Sequence, residues 1–430
     1  MTGGALCVVR CRARLLGMPP APSGAPRRIL LADADAFFVA VARLVDPDGA
    51  GRAQLLIVGG AAGSRGVVCS ASYEVRTHGV RSGMPMAQAV RLCPRAVCVP
   101  VPRRACSEKS RQIRAVMERF SPVVAAASID EFYLDLTGTE RLYDDAPLAE
   151  VAGRIRDEVA RVTGLLVSIG GGTSRLVAKM AAQLAKPSAV PGASGIHVVE
   201  PGEEPSFMRR FELGDIPGIG PKAQARLRHH GLVRVDDAVA ADHAALVRWL
   251  GEREAAWLRD RVRGIDDSAV EAHAEAKSLS REDTFPVDLH DDADLERELL
   301  RLVVRVAADL RGDGLRARTV TVKLRDADFT TRQSSRTLPS PVESDRAVHQ
   351  VARRLLVTLR TARRTGARLL GVTLSGLSGD GYATQLPLFD GSADAPLESE
   401  RDRALSRVVD GVRARFGDAA ILPASLTRRR

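Results

Sequence analysis

The sequence is poor in aromatic residues, lysine and cysteine, and it contains no long apolar run. No stretch approaches the roughly 18 apolar residues of a membrane-spanning helix, so no membrane span is expected. The cysteines match no zinc-site spacing and no histidine cluster joins them, which predicts free thiols in a reducing cytoplasm. They are Cys7, Cys11, Cys69, Cys93, Cys98 and Cys106.

Basic residues exceed acidic ones, which indicates a polyanionic partner. The chain has 63 Lys and Arg against 53 Asp and Glu, a formal net charge of +10. Only six of the basic residues are Lys, a bias typical of genomes with a high G+C content. That bias explains the choice of Arg over Lys but not the excess over acids, so nucleic acid is the first partner to consider.

The chain is long enough for several domains. At 430 residues it exceeds the size of one hydrophobic core, and about two to four domains are expected. In residues 1–26, Arg10, Arg12 and Arg14 interrupt any apolar core of a secretory signal, and the segment then becomes rich in Pro, Ala and Gly. We therefore expect a disordered extension there or an upstream choice of start codon, since Met18 is another possible start.

Apolar periodicity predicts an α+β fold with a helical insert. A purely helical region is expected at about 201–264, and residues 265–276 are acidic and irregular, as in a linker. The predicted strands are 29–32, 54–58, 66–71, 123–129, 132–136, 165–170, 195–199, 319–324, 332–338 and 368–374. The predicted helices outside the helical region are 105–120, 146–163, 175–184, 293–311, 345–360 and, in a tail from 379 to 430, 398–416.

Two adjacent acids, Asp130 and Glu131, lie between two of the short strands, 123–129 and 132–136. Neighbouring side chains in a strand point to opposite faces, but at a hairpin turn two neighbours can converge. Converging carboxylates repel each other and favour a cation between them. Asp33 follows a buried strand-like run in the same way.

Three carboxylates at strand ends form the oxygen-only kind of site that suits Mg²⁺. A pair of Mg²⁺ ions about 3.5–4 Å apart can activate an attacking hydroxyl and stabilise a leaving phosphate. In such a site Asp33 and Asp130 bridge the metals and Glu131 completes the ion at the attacking hydroxyl. The carbonyl of Ala34 is a further candidate ligand. Surface acids at strand ends are also common, and spacing alone does not decide between the two explanations.

Four motifs follow one another along the chain. They are Asp33-Ala34-Asp35-Ala36-Phe37-Phe38, Tyr73-Glu74-Val75-Arg76, Gly79-Val80-Arg81-Ser82-Gly83-Met84-Pro85 and Ser128-Ile129-Asp130-Glu131-Phe132-Tyr133-Leu134-Asp135. Together they resemble the Y-family DNA polymerases, and most closely the bacterial DNA polymerase IV (DinB) branch. The resemblance extends from about Arg27 to Phe389.

This resemblance implies a right-hand polymerase with a C-terminal α+β little finger. The implied domains are a palm at 27–44 and 105–200, fingers at 45–104, a helical thumb at 201–264, a linker at 265–276 and the little finger at 277–378. It also implies template-directed nucleotide addition with two Mg²⁺ ions per active site, low fidelity and lesion bypass.

Individual residues match functional positions of that family. Asp33, Asp130 and Glu131 match the catalytic metal ligands. Phe38 matches the steric gate, a bulky ring beside the sugar C2′ that leaves no room for a 2′-hydroxyl. Phe37 either lines the nucleotide site or packs in the core. The residues that match contacts to the incoming triphosphate are Ser70, Tyr73, Arg76 and Lys179.

Residues 216–222 (Ile-Pro-Gly-Ile-Gly-Pro-Lys) resemble a helix-hairpin-helix motif. Gly218 and Gly220 would expose backbone N–H groups at a helix N-terminus, with Lys222 beside them. Such groups bind a DNA phosphate without reading the sequence. A plain turn between two helices is the alternative.

The predicted C-terminal domain is basic where its strands lie. Residues 311–378 contain 14 Arg and Lys against 5 Asp and Glu. Lys323, Arg325, Arg332 and Arg336 fall on or beside strands, and we expect them to line one sheet face against the duplex backbone. A solvated charged face is the alternative. Aromatic residues are few in this region, so base stacking is not the expected mode.

A pentapeptide at 385–389 combines Gln385 with Leu386, Leu388 and Phe389 in a Gly-rich stretch that has no visible core. Pro387 argues against a central strand. The peptide resembles the bacterial sliding-clamp motif, in which the Gln and the apolar residues fill a pocket on the clamp. Packing against its own domain is the alternative.

These residues together predict a translesion DNA polymerase that acts in DNA repair as a mutator. The expected partners are primer–template DNA, deoxynucleoside triphosphates and the sliding clamp, and the expected state is a monomer in the cytoplasm, associated with the nucleoid. No stretch remains for a proofreading exonuclease. A non-catalytic Y-family scaffold is one alternative, although all three acids are intact. A palm-fold nucleotide cyclase is another, but it has no use for the helix-hairpin-helix, the basic domain or the clamp peptide.

Overall fold

The computed structural model describes residues 26–187, 194–272, 275–379 and 397–427. The chain divides into two compact units, 1–274 and 275–430. The strands of the described residues are β1 Ile29–Ala34, β2 Leu56–Gly59, β3 Val68–Ala71, β4 Val97–Val99, β5 Val123–Ala126, β6 Glu131–Asp135, β7 Val167–Gly172, β8 Ile196–Val198, β9 Ser278–Leu289, β10 Leu315–Asp326, β11 Thr331–Val342 and β12 Ala367–Gly379.

Helices connect these strands. They are α1 Phe37–Val45, α2 Tyr73–Thr77, α3 Met86–Leu92, α4 Arg103–Met117, α5 Leu148–Thr163, α6 Arg175–Ala185, α7 Glu204–Met208, α8 Pro221–His229, α9 Val235–Ala240, α10 His243–Leu250, α11 Glu252–Arg261, α12 Asp292–Gly312, α13 Asp345–Ala362 and α14 Glu400–Phe416. The predicted α+β class and the helical region before the linker are confirmed. The strands β4 and β9 were not predicted. No helix in the described ranges is long and apolar enough to cross a membrane.

The first unit is built around a five-stranded sheet of order β5-β6-β1-β7-β8, with β1 antiparallel to both of its neighbours. A separate sheet of order β3-β2-β4 lies between β1 and β5 in the chain. The helices α7 to α11 follow the large sheet and share a hydrophobic core with Leu176, Val177 and Met180 of α6. The central position of β1 explains its continuous apolar run, because a strand that is covered on both faces has no solvent side.

Each face of β1 packs against different helices. Leu30 and Ala32 belong to the cluster that includes α1, α4 and α5. Ile29 and Leu31 point to the other face and pack against Ala178 and other residues of α6. Asp33 continues the second set, since side chains two residues apart share a face. The sequence of β1 therefore places this acid on the side of α6.

A close approach between α6 and β7 sets the position of that helix. A Cβ at Gly170 would lie 2.0 Å from the backbone N of Ala182 and 2.1 Å from the backbone O of Ala178. Only glycine permits this contact, so α6 lies directly on β7. The two lysines of this helix region are thereby brought to the acid-bearing end of β1.

The first part of the predicted linker packs against the first unit. Val270 is buried with Ile29, Leu31 and Tyr133. The Asp266 carboxylate accepts a hydrogen bond from the backbone N–H of Leu176 at 3.2 Å, at the start of α6. The boundary between the two units falls at 274/275, within the segment 265–276.

The second unit has a four-stranded sheet of order β11-β10-β12-β9, with α12 and α13 packed on one face. The predicted helix in the tail is confirmed as α14, which docks on this unit through ion pairs. The buried guanidinium of Arg311 donates to both carboxylate oxygens of Asp410, at 2.6 and 2.9 Å, and to Asp345 at 2.9 Å. A buried charge needs such pairing, so α14 is part of this unit rather than a loose extension.

Candidate active site

The backbone register brings two of the predicted acids side by side. Asp33 at the end of β1 pairs with Glu131, the first residue of β6, and on its other side with Ser168 of β7. Residues that are directly opposite in an antiparallel pair share a face, with their Cβ atoms about 4.5–5.5 Å apart. Asp33 and Glu131 therefore lie on the same face of the sheet, the face covered by α6.

Asp130 lies in the turn of the predicted hairpin, next to Glu131. The strands β5 and β6 are antiparallel, with Ala126 opposite Phe132. The Ser128 hydroxyl organises the turn: it accepts hydrogen bonds from the backbone N–H groups of Asp130 at 3.2 Å and Glu131 at 3.0 Å, and it donates to the Asp130 carboxylate. The Asp130 carbonyl in turn accepts from the N–H of Ala34 at 3.0 Å, which ties the hairpin to the end of β1.

Two lysines pair with acids of this cluster and offset part of its negative charge. Lys179 donates to both carboxylate oxygens of Glu131 at 2.9 Å each. Lys186, directly after α6, donates to Asp33 Oδ2 at 2.6 Å. Lys186 was not predicted as a site residue. It lies one residue past the end of α6 in an extended conformation, so helical periodicity gave no signal for it.

Burial and mutual repulsion act on the acids. Burial raises the pKa of Asp33 from 3.8 to about 6; Lys186 opposes this shift, whereas the charges of Glu131 and Asp130 add to it. The three carboxylates are thus close enough to influence one another, and each additional negative charge there is unfavourable without a cation.

The donor set fits Mg²⁺, although the side chains are not arranged around an ion. Three carboxylates and the nearby Ala34 carbonyl supply only oxygen, which this cation prefers. Within the described ranges, no three His, Cys, Asp or Glu side chains converge tightly enough to hold a metal as they stand. Two of the acids are instead engaged by Lys179 and Lys186, so metal binding requires these ion pairs to open.

A fourth acid, Asp35, belongs to the same neighbourhood and was not assigned a role from the sequence. Its Oδ1 accepts a hydrogen bond from Ser168 at 2.8 Å. Burial raises the pKa of Asp35 above its ordinary value, while hydrogen bonds from Ser168 and Tyr73 lower it. The predicted triphosphate residue Tyr73 is therefore brought next to the acid cluster by tertiary structure.

The two phenylalanines after β1 differ in environment. Ala36, in a left-handed conformation with φ of 44°, turns the chain into α1. Phe37 is buried in the core, which confirms one of its two interpretations. Phe38 is only partly buried and meets Phe37 edge to face, with ring centroids 5.5 Å apart. Its ring is the one available to a ligand.

The other predicted triphosphate residues lie in and just before α2. Ser70 is buried in β3, opposite Val58. The Arg76 guanidinium lies over the Tyr73 ring at 5.0 Å from its centroid, and its Nε donates to the carbonyl of Ala71 at 2.9 Å. These contacts hold Arg76 beside the same tyrosine that interacts with Asp35.

The predicted helix-hairpin-helix has the expected local geometry. Gly218 has φ of 100°, and a Cβ there would come within 3.0 Å of the Trp257 ring. Gly220 precedes α8, whose first residue is Pro221. Lys222 is exposed on the first turn of that helix. Glycine is required at Gly218 both by backbone conformation and by packing, whereas Gly220 has φ of −76° and no neighbour within 4 Å of a Cβ position.

The four basic residues that were expected on one face of the C-terminal sheet lie on two faces, so that prediction is wrong. Val320, Val322 and Leu324 of β10 are buried against the helices, which leaves Lys323 and Arg325 on the open face.

The other two basic residues, Arg332 and Arg336, lie on β11 opposite buried residues of β10. Arg332 is opposite Leu324 and Arg336 is opposite Val320, so both are on the helix side. Arg332 is engaged there by the buried carboxylate of Asp326, at 2.9 and 3.1 Å. The sequence could not reveal this, because a shift of one residue in strand register moves a side chain to the other face.

The open face is mostly neutral and rich in hydroxyl groups. Lys323 on that face pairs with Glu282 at 2.6 Å. The register places these hydroxyl residues beside it: Thr319, Thr321, Ser335, Thr337, Thr373 and Ser375. The predicted clamp peptide, with Gln385, Leu386, Leu388 and Phe389, lies outside the described residues, as does nearly all of the predicted extension 1–26.

Family models match most of the chain. The model of the impB/mucB/samB family matches residues 32–183, the model of that family's C-terminal domain matches 276–388, and the model of its HHH motif matches 201–232.

Curated relatives are similar over almost the whole chain. DNA polymerase IV of Desulfatibacillum aliphaticivorans is 36% identical over 93% of this chain and 96% of its own length. DNA polymerase IV of Caulobacter vibrioides is 36% identical over 91% of this chain and 92% of its own.

Solved structures share the fold. A Y-family DNA polymerase chimera has a TM-score of 0.71 at 24% identity, covering 82% of this chain and 100% of its own. DinB from Sulfolobus solfataricus has a TM-score of 0.55 at 25% identity, covering 81% and 98%. The predicted arrangement of a right-hand polymerase with a little finger is confirmed by this likeness.

Proposed function

We propose that this member of the impB/mucB/samB family, the Y-family of DNA polymerases, extends a primer 3′ end in a site formed by Asp33, Asp130 and Glu131. The chain is a translesion DNA-directed DNA polymerase. In this proposal insertion is of low fidelity and no proofreading exonuclease corrects it. The palm is 27–44 and 105–200, and the other domains keep the boundaries predicted above. The enzyme acts as a monomer at the nucleoid.

One observation carries this proposal. Asp33 and Glu131 are cross-strand partners, Asp130 is next to them in a hydrogen-bonded turn, and two lysines pair with Asp33 and Glu131. A cluster of acids with lysines beside it suits a site that takes Mg²⁺ together with a polyphosphate, since the carboxylates attract the metal and the ammonium groups attract the phosphates.

Asp33, Asp130 and Glu131 would hold two Mg²⁺ ions, with Glu131 serving the primer hydroxyl. The Ala34 carbonyl would be a further ligand. Bound Mg²⁺ would lower the pKa of the primer 3′-hydroxyl and offset charge on the phosphates. The chain's own residues orient the reactants, so that the hydroxyl oxygen attacks the α-phosphate and pyrophosphate leaves. Ser128 keeps Asp130 and Glu131 in place for this step.

Basic and hydroxyl groups next to the acids would bind the triphosphate. Arg76 presents a forked donor that matches phosphate oxygens, Tyr73 lies under it, and Ser70 is nearby. Lys179 and Lys186 would no longer be needed by their carboxylates if Mg²⁺ balanced that negative charge instead. Their ammonium groups are then free to pair with the incoming anion.

Lys186→Met is expected to raise the KM for the incoming nucleotide by about 10- to 100-fold, the effect of losing one charge-assisted hydrogen bond. Steady-state primer extension with one nucleotide measures this. The KM for primer–template should stay the same, and Lys277→Met, which changes an exposed lysine of the second unit, should resemble the wild type. A lower kcat with an unchanged nucleotide KM would mean that Lys186 acts only on Asp33.

DNA would be bound by backbone and hydroxyl groups. Gly218 and Gly220 present N–H groups at the start of α8, with Lys222 beside them, and these suit a phosphate. On the second unit, Lys323 and Arg325 lie on the open face among Ser and Thr hydroxyls, which donate to phosphate oxygens without reading sequence. Arg332 and Arg336 are not part of this proposed contact because they are on the helix side.

The sliding clamp would be bound by the peptide 385–389, a proposal that rests on the sequence resemblance alone. Leu386→Ala with Phe389→Ala should abolish stimulation of primer extension by a bacterial clamp, because two apolar side chains no longer fill the pocket. Extension without the clamp should not change. The pair Leu405→Ala and Val408→Ala, exposed on α14, is the matched control and should keep clamp stimulation.

Primer extension on a defined template tests the central proposal. The purified chain with Mg²⁺ and four deoxynucleotides should extend the primer, and EDTA should stop it. It should insert opposite a damaged template base, misinsert readily and leave a mismatched 3′ end undegraded. A protein that binds the clamp and DNA but never extends a primer would instead be the scaffold alternative.

A further inference from the structure

The tip of the β10–β11 hairpin presents an exposed aromatic side chain in an unusual backbone conformation. Phe329 is 62% exposed and has φ of 66°. It is the only aromatic residue with positive φ in the part of the chain that the structure describes. A bulky side chain in this region is strained, and such strain persists only where the surroundings impose it.

Hydrogen bonds around Phe329 hold its backbone in this strained conformation. Its backbone N–H donates to the carbonyl of Asp326 at 2.9 Å, and the Asp326 N–H donates to the carbonyl of Thr330 at 2.9 Å. The Arg363 guanidinium then bridges the carboxylates of Asp326 at 3.0 Å and Asp328 at 2.7 Å. The tip is therefore a rigid support that holds the ring away from the core.

A cation covers the ring on one side. The guanidinium of Arg368 in β12 lies over the Phe329 ring, 4.5 Å from its centroid. This cation–π contact holds the orientation of the ring and covers one of its two faces. Since most of the Phe329 surface remains exposed, the ring can accept a second planar group.

We propose that Phe329, backed by Arg368, is a stacking platform for an unpaired nucleobase of the single-stranded template. This inference rests on the proposed function, which supplies the DNA. It departs from the expectation that this unit uses no base stacking. That expectation rested on the small number of aromatic residues, but a single exposed ring is sufficient to stack on one base.

Charge favours a nucleic-acid occupant over a protein one. The segment 311–378, which contains both Phe329 and Arg368, has 14 Arg and Lys against 5 Asp and Glu. Proteins that bind single strands without sequence preference combine basic side chains with aromatic side chains on which bases stack. Every base has a π-face, so the contact suits an enzyme that must accept any template, including a damaged one.

The test compares two labelled primer–templates that differ only in the 5′ template overhang, which carries thymine bases in one and abasic sites in the other. The wild type should bind the base-bearing overhang about tenfold more tightly, the effect of one base–aromatic stack. Phe329→Gly should lose this ratio, and Phe329→Tyr should keep it. Phe416→Ala is the matched control, since Phe416 is 66% exposed with an Arg415 guanidinium over its ring.

Phe329→Gly also separates stacking from folding. Glycine adopts positive φ without strain, so the variant should unfold at a temperature no lower than the wild type while it loses the binding ratio. A wild type that does not distinguish the two overhangs, or a Phe329→Gly variant that keeps the wild-type ratio, overturns the inference. In either case primer extension by the wild type would leave the proposed function standing. Failure of the wild type to extend any primer would refute the function instead.

Discussion

Asp130→Asn should abolish primer extension and leave DNA binding intact. The amide keeps the shape of the carboxylate and can still accept the hydrogen bond from Ser128, so the turn should remain folded. It lacks the negative charge that would bridge two Mg²⁺ ions. Loss of metal-based stabilisation, worth several kcal/mol, predicts a fall in kcat of about 10³-fold or more.

Single-turnover extension and fluorescence anisotropy with the same primer–template would measure the two properties. Asp145→Asn is the matched control, because Asp145 is an exposed acid of the same unit with positive φ that Asn accommodates well. The control should extend primers at the wild-type rate. Substantial extension by Asp130→Asn would remove the metal assignment, and loss of DNA binding would show that the turn had collapsed.

Phe38→Ala should allow ribonucleotide insertion. The Phe38 ring is partly exposed beside the acid-bearing end of β1, where it would meet the C2′ atom of a bound sugar. Removing it opens space for a 2′-hydroxyl, whose steric penalty of about 1–3 kcal/mol corresponds to about 5- to 160-fold in selectivity. The ratio of kcat/KM for deoxy- and ribonucleotides measures the change.

Phe37→Leu is the natural comparison, because the two rings are neighbours with different surroundings. Phe37 is buried, so its substitution should lower stability by about 1–1.5 kcal/mol and leave sugar selection unchanged. If Phe38→Ala kept full discrimination, or if Phe37→Leu relaxed it, the gate would have to be placed elsewhere.

The predictions that succeeded concern features encoded in adjacent residues. The acid hairpin, the run that became β1 and the helices of both units follow from local periodicity, which reports burial directly. The boundaries differ by a few residues. The helix 398–416 was also predicted correctly, although its docking through Arg311 could not be, because it joins positions 99 residues apart.

The sequence did not reveal which lysines pair with the acids of the candidate site. Lys186 pairs with Asp33 across 153 residues, and Lys179 pairs with Glu131 across 48. Both contacts depend on how closely α6 lies on β7, which the absence of a Cβ at Gly170 permits. A lysine near the end of a helix has no periodic signature of its own, so only the packing identifies its partner.

By itself the sequence determined the α+β class and the membership of the family, because these are carried by contiguous motifs, and it supplied the three acids as the candidates for the site. Tertiary structure alone decided which carboxylates are held by lysines, which basic side chains face the helices and which phenylalanine is exposed. The physical reason is that strand register and helix approach set the direction of each side chain. A one-residue shift of β11 against β10 would move Arg332 to the open face without altering composition.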